Sequence, residues 1–373
     1  MSHPVEVSAG AQGTDTISMP PARLVLEDGV TFEGRCFGHP EPVAGEVVFN
    51  TGMVGYPETM TDPSYAGQLV CLTYPLVGNY GVPREHEEHA LSTSYESDRI
   101  QVSALIVADY ATSWSHWDAA GSLGAWCRSQ RVPAITGVDT RSLTQHLRER
   151  GSMLGVLEVD GRSCDAYDPN KENLVAGVSV REPILYEGER ETRVVLVDTG
   201  AKTNIVQCLL RRGVGVLRVP WDHDFTGERF DGVMLSNGPG DPSMVDRTVS
   251  TVRALLENNT PVFGICMGNQ LLARAIGART YKLPYGHRGQ NQPVIECGTN
   301  RCFVTSQNHG YAVDQSTLPE DWRPWFENLN DGTNEGIRHA WKPFRSVQFH
   351  PEAAPGPVDT AFLFDEFVRM LAR

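Results

Sequence analysis

From Arg193 onward the chain alternates short apolar runs with stretches of helical length, and this alternation restricts its fold more than any other feature. Arg193-Val-Val-Leu-Val-Asp198 reads as a strand without a polar face, and Asn204 to Arg212 as a helix stopped by Gly213. A second strand follows at Val214 to Val219, a third at Gly232 to Leu235 with a helix at Val249 to Glu257, and a fourth at Pro261 to Ile265 leading into another helix. A strand that is apolar throughout must be covered on both sides, as it is in a parallel sheet with crossover helices. The expected fold class is α/β, with a mostly parallel sheet flanked by helices over residues 193–373.

The first half reads differently. Leu24-Val25-Leu26 before the turn Glu27-Asp28-Gly29, then Gly45 to Asn50 and Gln68 to Thr73, are short strand patterns bounded by turn residues. Val102 to Ala108 is a buried-type strand, and helical patterns follow at about Trp117 to Ser129 and Ser142 to Arg150, the latter ended by Gly151. These features predict a mixed α+β domain over residues 23–180, a linker over 181–192, and a polar tail, disordered, over 1–22. A length of 373 residues suits two such domains.

Charge separates the same two parts. Residues 1–190 hold 26 acidic and 13 basic side chains, against 20 and 19 in the remainder, for a net charge of -14. Binding to a nucleic-acid backbone is driven by Lys and Arg displacing counterions, so no nucleic-acid partner is expected. There is no run of about 18 apolar residues, and no membrane-spanning helix is expected. The first 21 residues lack Lys and Arg, unlike a secretory or mitochondrial leader. Eight scattered cysteines without a C-x-x-C pair suit reduced thiols in a cytoplasmic protein.

One of those cysteines stands apart. In Val262-Phe263-Gly264-Ile265-Cys266-Met267-Gly268-Asn269-Gln270 a buried strand meets a helix at Cys266, flanked by glycines two residues to either side. This is the pattern of a nucleophile elbow with Cys for Ser, in which the glycines leave room for a strained turn. The Met267 N–H, next after the nucleophile, can stabilise an oxyanion. Taken alone, the pattern suits a core cysteine on a tight turn equally well. Downstream, His350 ends an alternating strand with Glu352 two residues on, which supplies a base and a carboxylate to orient it. Upstream, Ser236-Asn237-Gly238-Pro239-Gly240-Asp241-Pro242 is a tight loop after a strand, so the Gly240 N–H is a second oxyanion donor candidate. All three lie at the C-terminal ends of strands, where open α/β sheets place their sites. By contrast Gly200-Ala201-Lys202-Thr203 lacks the glycine before Lys of a phosphate loop and reads as a helix start.

Residues 236–242, 264–270 and 350–352 resemble the three signatures of the class I, triad-type glutamine amidotransferases, and Ser306 to Tyr311 and Tyr285 to Pro293 narrow the likeness. Gly45 to Met53, Gly55 to Glu58, Thr61 to Tyr65, Thr73 to Gly81 and Gly137 to Arg141 resemble the N-terminal domain of the carbamoyl-phosphate synthetase small subunit, closest to the pyrimidine-pathway type. The resemblance implies that Cys266 attacks the side-chain amide of glutamine, His350 acts as base and acid, and Glu352 orients it. It implies oxyanion N–H groups from Gly240 and Met267, and glutamine contacts from Ser64, Gly238, Gly240, Met267, Gln270, Asn308, Gly310 and Tyr311. It implies no cofactor or metal, and a partner that binds ATP and bicarbonate: the large synthetase subunit, or a synthetase domain of the same polypeptide. Asn269 departs from the family, which usually has His there. Two rivals remain open at this point, a glutaminase serving another amidotransferase and a non-catalytic coupling subunit.

Overall fold

The structure, a computed structural model, describes residues 11–225 and 227–372. The apolar runs of the first half close into a seven-stranded barrel. Around it the order is Ala104–Ile106, Ala134–Thr136, Thr31–Cys36, Pro21–Leu26, Met153–Val159, Val43–Asn50 and Gln68–Leu72. Closure leaves no unpaired edge. Strict alternation along Met153–Val159 puts Met153, Gly155, Leu157 and Val159 inside. The helix Thr140–Arg150 packs Leu143 and Leu147 onto Leu24, Val47 and Leu157. It starts where Asp139 accepts the Ser142 N–H at 2.9 Å, and Gly151 ends it at φ 97.

Three expectations for the first half need correction. The helix expected from Trp117 begins only at Leu123, because Ser122 caps it by accepting the Ala125 N–H and Ala119–Gly121 pairs instead with Val82–Pro83. The tail expected to be disordered over 1–22 is ordered from residue 11: Ala11–Thr14 pairs with Ser113–His116, and Asp15 accepts from Arg128 and Tyr110, both at 2.8 Å. Residues 1–10 lie outside the described residues. Within the expected linker, Ile184–Tyr186 forms the edge of the second sheet by pairing with Gly215–Pro220.

That sheet has ten strands. Its centre is parallel, in the order Gly215–Pro220, Arg193–Asp198, Gly232–Leu235, Val262–Ile265 and Phe344–Val347. Four antiparallel strands, Asn334–His339, Trp322–Asn328, Thr280–Glu296 and Cys302–Val313, extend it beyond Phe344–Val347. Both faces are covered, which explains the continuous apolar runs. Val194 and Leu196 pack with Ile205, Leu209, Phe364 and Phe367 on one side, and Val195 and Val197 with Val249, Val252 and Leu271 on the other. Each fully buried side chain of this kind is worth about 1.5–3 kcal/mol. In chain order the parallel strands run 2-1-3-4-5, so the crossovers change direction between Arg193–Asp198 and Gly232–Leu235, where such sheets leave a crevice for ligands. No helix among the described residues is long and apolar enough to cross a membrane.

Candidate active site

Cys266 sits between strand Val262–Ile265 and helix Met267–Ala275 with φ 53 and ψ -102, a conformation that non-glycine residues rarely adopt. Backbone strain of this kind collects at functional sites. The flanking glycines are required by contact. A Cβ on Gly268 would lie 2.3 Å from the Leu235 carbonyl oxygen, and one on Gly264 would lie 2.5 Å from that of Gly268. The Cys266 N–H donates to the Val347 carbonyl at 2.9 Å, which ties the elbow to the strand that leads to His350.

His350 follows that strand and is held by its own N–H, which donates to Ser306 O at 2.9 Å. Its Nδ1 lies 2.6 Å from Glu352 Oε1. Among the described residues no other group pairs with Nε2, and the Cys266 side chain is close enough to help hold a proton on the ring. Burial opposes the imidazolium. The Glu352 carboxylate, with Cys266, outweighs it and raises the His350 pKa to about 10. Burial likewise pushes Glu352 up, but His350 and then Lys202 hold it below the usual carboxylate range. The structure thus brings Cys266, His350 and Glu352 into one buried cluster.

Lys202 was not expected in it. It starts the helix Thr203–Leu210, as the sequence suggested, and its Nζ reaches Glu352 Oε1 at 3.3 Å and Ala353 O at 2.5 Å. Burial disfavours the ammonium, and Glu96, Glu352 and Asp62 together outweigh it and raise the pKa. Glu96 comes from the N-terminal domain. Its carbonyl accepts the Thr203 N–H at 2.9 Å and its carboxylate the Asn204 N–H at 3.2 Å, so it caps the helix across the interface. Burial pushes its carboxyl up to about 7, against the pull of Lys202. The available signal was positional: Lys202 follows the C-terminal end of the first parallel strand, beside the change in crossover direction.

A cleft between the domains is lined by Cys266 and by Ser64, Gly238, Gly240, Gln270, Asn308, Gly310 and Tyr311. Of the expected glutamine contacts only Met267 does not line it. Ser64 Oγ accepts from Asn237 Nδ2 at 2.8 Å, and Asn308 Nδ2 donates to Asp62 at 2.9 Å, so both domains build the walls. A Cβ on Gly238 would lie 1.9 Å from the Thr199 carbonyl oxygen, and Gly240 has φ 83, which accounts for both glycines. Glu46, Lys282 and Arg288 also line the cleft, and sequence reasoning had assigned them no role. Asn269 points elsewhere. It is fully buried, its side chain donates to Gln348 Oε1 at 3.0 Å and accepts from Ser346 Oγ at 2.8 Å, and among the described residues no side-chain hydrogen bond joins it to the Cys266–His350–Glu352 cluster, although its N–H donates to the Cys266 carbonyl at 3.0 Å.

Residues 195–370 match the family model for class I glutamine amidotransferases, and residues 24–157 match that for the CPSase domain of the carbamoyl-phosphate synthase small chain. The multifunctional protein pyr-3 of Neurospora crassa is 49% identical over 94% of this chain and 21% of its own length. The multifunctional protein CAD of Squalus acanthias is 50% identical over 93% of this chain and 16% of its own. The human mitochondrial carbamoyl-phosphate synthase [ammonia] is 48% identical over 96% and 24%. The chain therefore spans a quarter or less of the length of these relatives. Over residues 24–157 the chain belongs to the carbamoyl-phosphate synthase small-chain family, and over residues 195–370 to the class I glutamine amidotransferases.

Proposed function

We propose that this chain is the glutamine-hydrolysing component of a carbamoyl-phosphate synthase, with residues 23–180 forming the small-chain domain and 193–373 the glutaminase. One observation carries the reading: a strained Cys266 meets a histidine fixed by Glu352 beside a cleft that both domains line. Cys266 Sγ, its proton passed to His350, attacks the side-chain carbonyl carbon of L-glutamine. The Gly240 and Met267 N–H groups meet the oxyanion, where one such donor is worth about 10²–10³ in rate. His350 returns the proton to the amide nitrogen, the C–N bond breaks and ammonia leaves a γ-glutamyl thioester. Water then attacks the thioester carbon, giving its proton to His350, and glutamate departs as the thiol re-forms.

Ammonia has a second space to enter. A cavity lined by Glu58, Asp62, Lys202, Gln290, His350 and Pro355 adjoins the cleft at Asn308, which lines both. The consumer of that ammonia is a synthetase component, separate or fused, that binds ATP and bicarbonate, in the cytoplasm. The name of the human relative specifies ammonia, so family membership alone does not decide the nitrogen source; the assembled Cys266–His350–Glu352 cluster favours glutamine. The test is glutamate release by the protein together with its synthetase component. Wild type should hydrolyse glutamine, and Cys266→Ser should not, while carbamoyl phosphate synthesis from added ammonia survives. Ammonia-supported synthesis with no glutamate release by wild type would establish the non-catalytic coupling role instead.

A further inference from the structure

Arg288 is a buried cation with no ion-pair partner among the described residues. It lies in strand Thr280–Glu296 opposite Asn308, lines the cleft with Cys266 and Ser64, and is 4% exposed. Nη1 donates to the Tyr285 carbonyl at 2.6 Å, while Nε has no partner among the described residues. Glu46 is the carboxylate whose charge it feels most, but that group is already held by Lys282 at 2.6 Å and Gln68 at 2.9 Å. The other buried cation of the site, Lys202, is matched by Glu352. Guanidinium stays charged in proteins, and an unpaired buried charge is strongly unfavourable.

The Arg288 backbone is also held in place. Thr51 of the N-terminal domain donates to the Arg288 carbonyl through both N–H and Oγ1, at 3.1 and 3.2 Å. Nη2 lies 3.2 Å from where a Cβ on Gly310 would stand, so the guanidinium lies over the Asn308–Tyr311 wall of the cleft and a side chain there would crowd it. A guanidinium that lacks an anion among the described residues, at a fixed place in a substrate cleft, matches the planar geometry of a carboxylate.

We propose that Arg288 receives the α-carboxylate of glutamine and thereby selects the free amino acid over γ-carboxamides whose α-carboxyl is blocked. The inference rests on the glutaminase reading above. Hydrolysis of the side-chain amide does not itself require an α-carboxylate, so this contact governs selectivity and affinity. The test compares L-glutamine with its α-carboxamide in wild type, Arg288→Gln and Arg288→Lys, each assembled with the synthetase component. Wild type should prefer glutamine. Arg288→Gln should lose about 10- to 100-fold in kcat/KM for glutamine, mainly through KM, as expected for a charged hydrogen bond. The same variant should keep its rate on the α-carboxamide within about 3-fold, and Arg288→Lys should retain part of the preference. Equal losses on both substrates, or an unchanged preference in both variants, would overturn the assignment. Hydrolysis of neither substrate by wild type would remove the glutaminase reading and this inference together.

Discussion

Replacing Lys202 with Met removes the cation that faces Glu96, Glu352 and Asp62 from two domains. Its Nζ is 3.3 Å from Glu352 Oε1 and the residue is 3% exposed. At an effective dielectric constant near 20, that separation corresponds to about 5 kcal/mol of attraction before desolvation is counted. Methionine has no charge to desolvate, but the carboxylates left behind stay buried, and losing one partner of such a pair costs about 3–5 kcal/mol. Urea denaturation at pH 7.5 should show a loss in that range for Lys202→Met. Glu96→Gln should lose no more than about 1 kcal/mol, since the amide still accepts the helix N–H and sheds a charge that burial disfavours. The double variant should fall short of the sum by at least about 1 kcal/mol, because Glu96 no longer needs the ammonium. The pH dependence has a definite sign. The Glu96 carboxyl titrates at about 7 when folded against 4.5 for the free group, so the folded chain holds the extra proton between those values. Stability from this group is lost as pH rises through that window, by up to about 3 kcal/mol, and Glu96→Gln should flatten the slope. Additive losses, or a Lys202→Met cost below about 1 kcal/mol, would refute the shared network.

Three further outcomes follow from the same contacts. Gly268→Ala forces a Cβ to within 2.3 Å of the Leu235 carbonyl and should cost about 3 kcal/mol or more by thermal unfolding, while displacing Cys266 enough to abolish its alkylation by a glutamine-like electrophile. Asn269→His should leave the kcat for glutamine within about 3-fold in a steady-state assay, since imidazole can both donate to Gln348 and accept from Ser346; a large kcat loss would mean that this position acts on the triad. Glu352→Gln should lower kcat by about 10²–10⁴-fold. It should also return the His350 imidazole signal toward 6.5 from about 10 in an NMR titration. Because that pKa is raised, the stability it supplies is present below pH 6.5 and lost as pH rises through about 10, a slope the variant should lack.

The parts of the site that were legible in the chain are those built by neighbours in sequence. Gly264, Cys266 and Gly268 form one turn, and His350 and Glu352 are two residues apart, so steric demand and hydrogen-bond reach are written in the spacing. Lys202, Glu96 and Arg288 escaped because nothing near them in sequence records their partners. Lys202 reads as an ordinary helix start until Glu352 and Glu96 are seen against it, and Arg288 reads as one residue of a stretch that narrows the family likeness until its burial is known. The edge strands Ala11–Thr14 and Ile184–Tyr186 were missed for the same reason, since their stability comes from backbone pairing with distant segments.

Local periodicity therefore determined the alternation of strand and helix, the covered parallel core and the strained cysteine turn, because side-chain direction repeats every two residues in a strand and every 3.6 in a helix. Only the tertiary structure decided which charges meet. Burial converts a carboxylate, an ammonium or a guanidinium from a solvated surface group into one that requires a partner, and that partner is supplied by whichever segment the fold brings within about 4 Å.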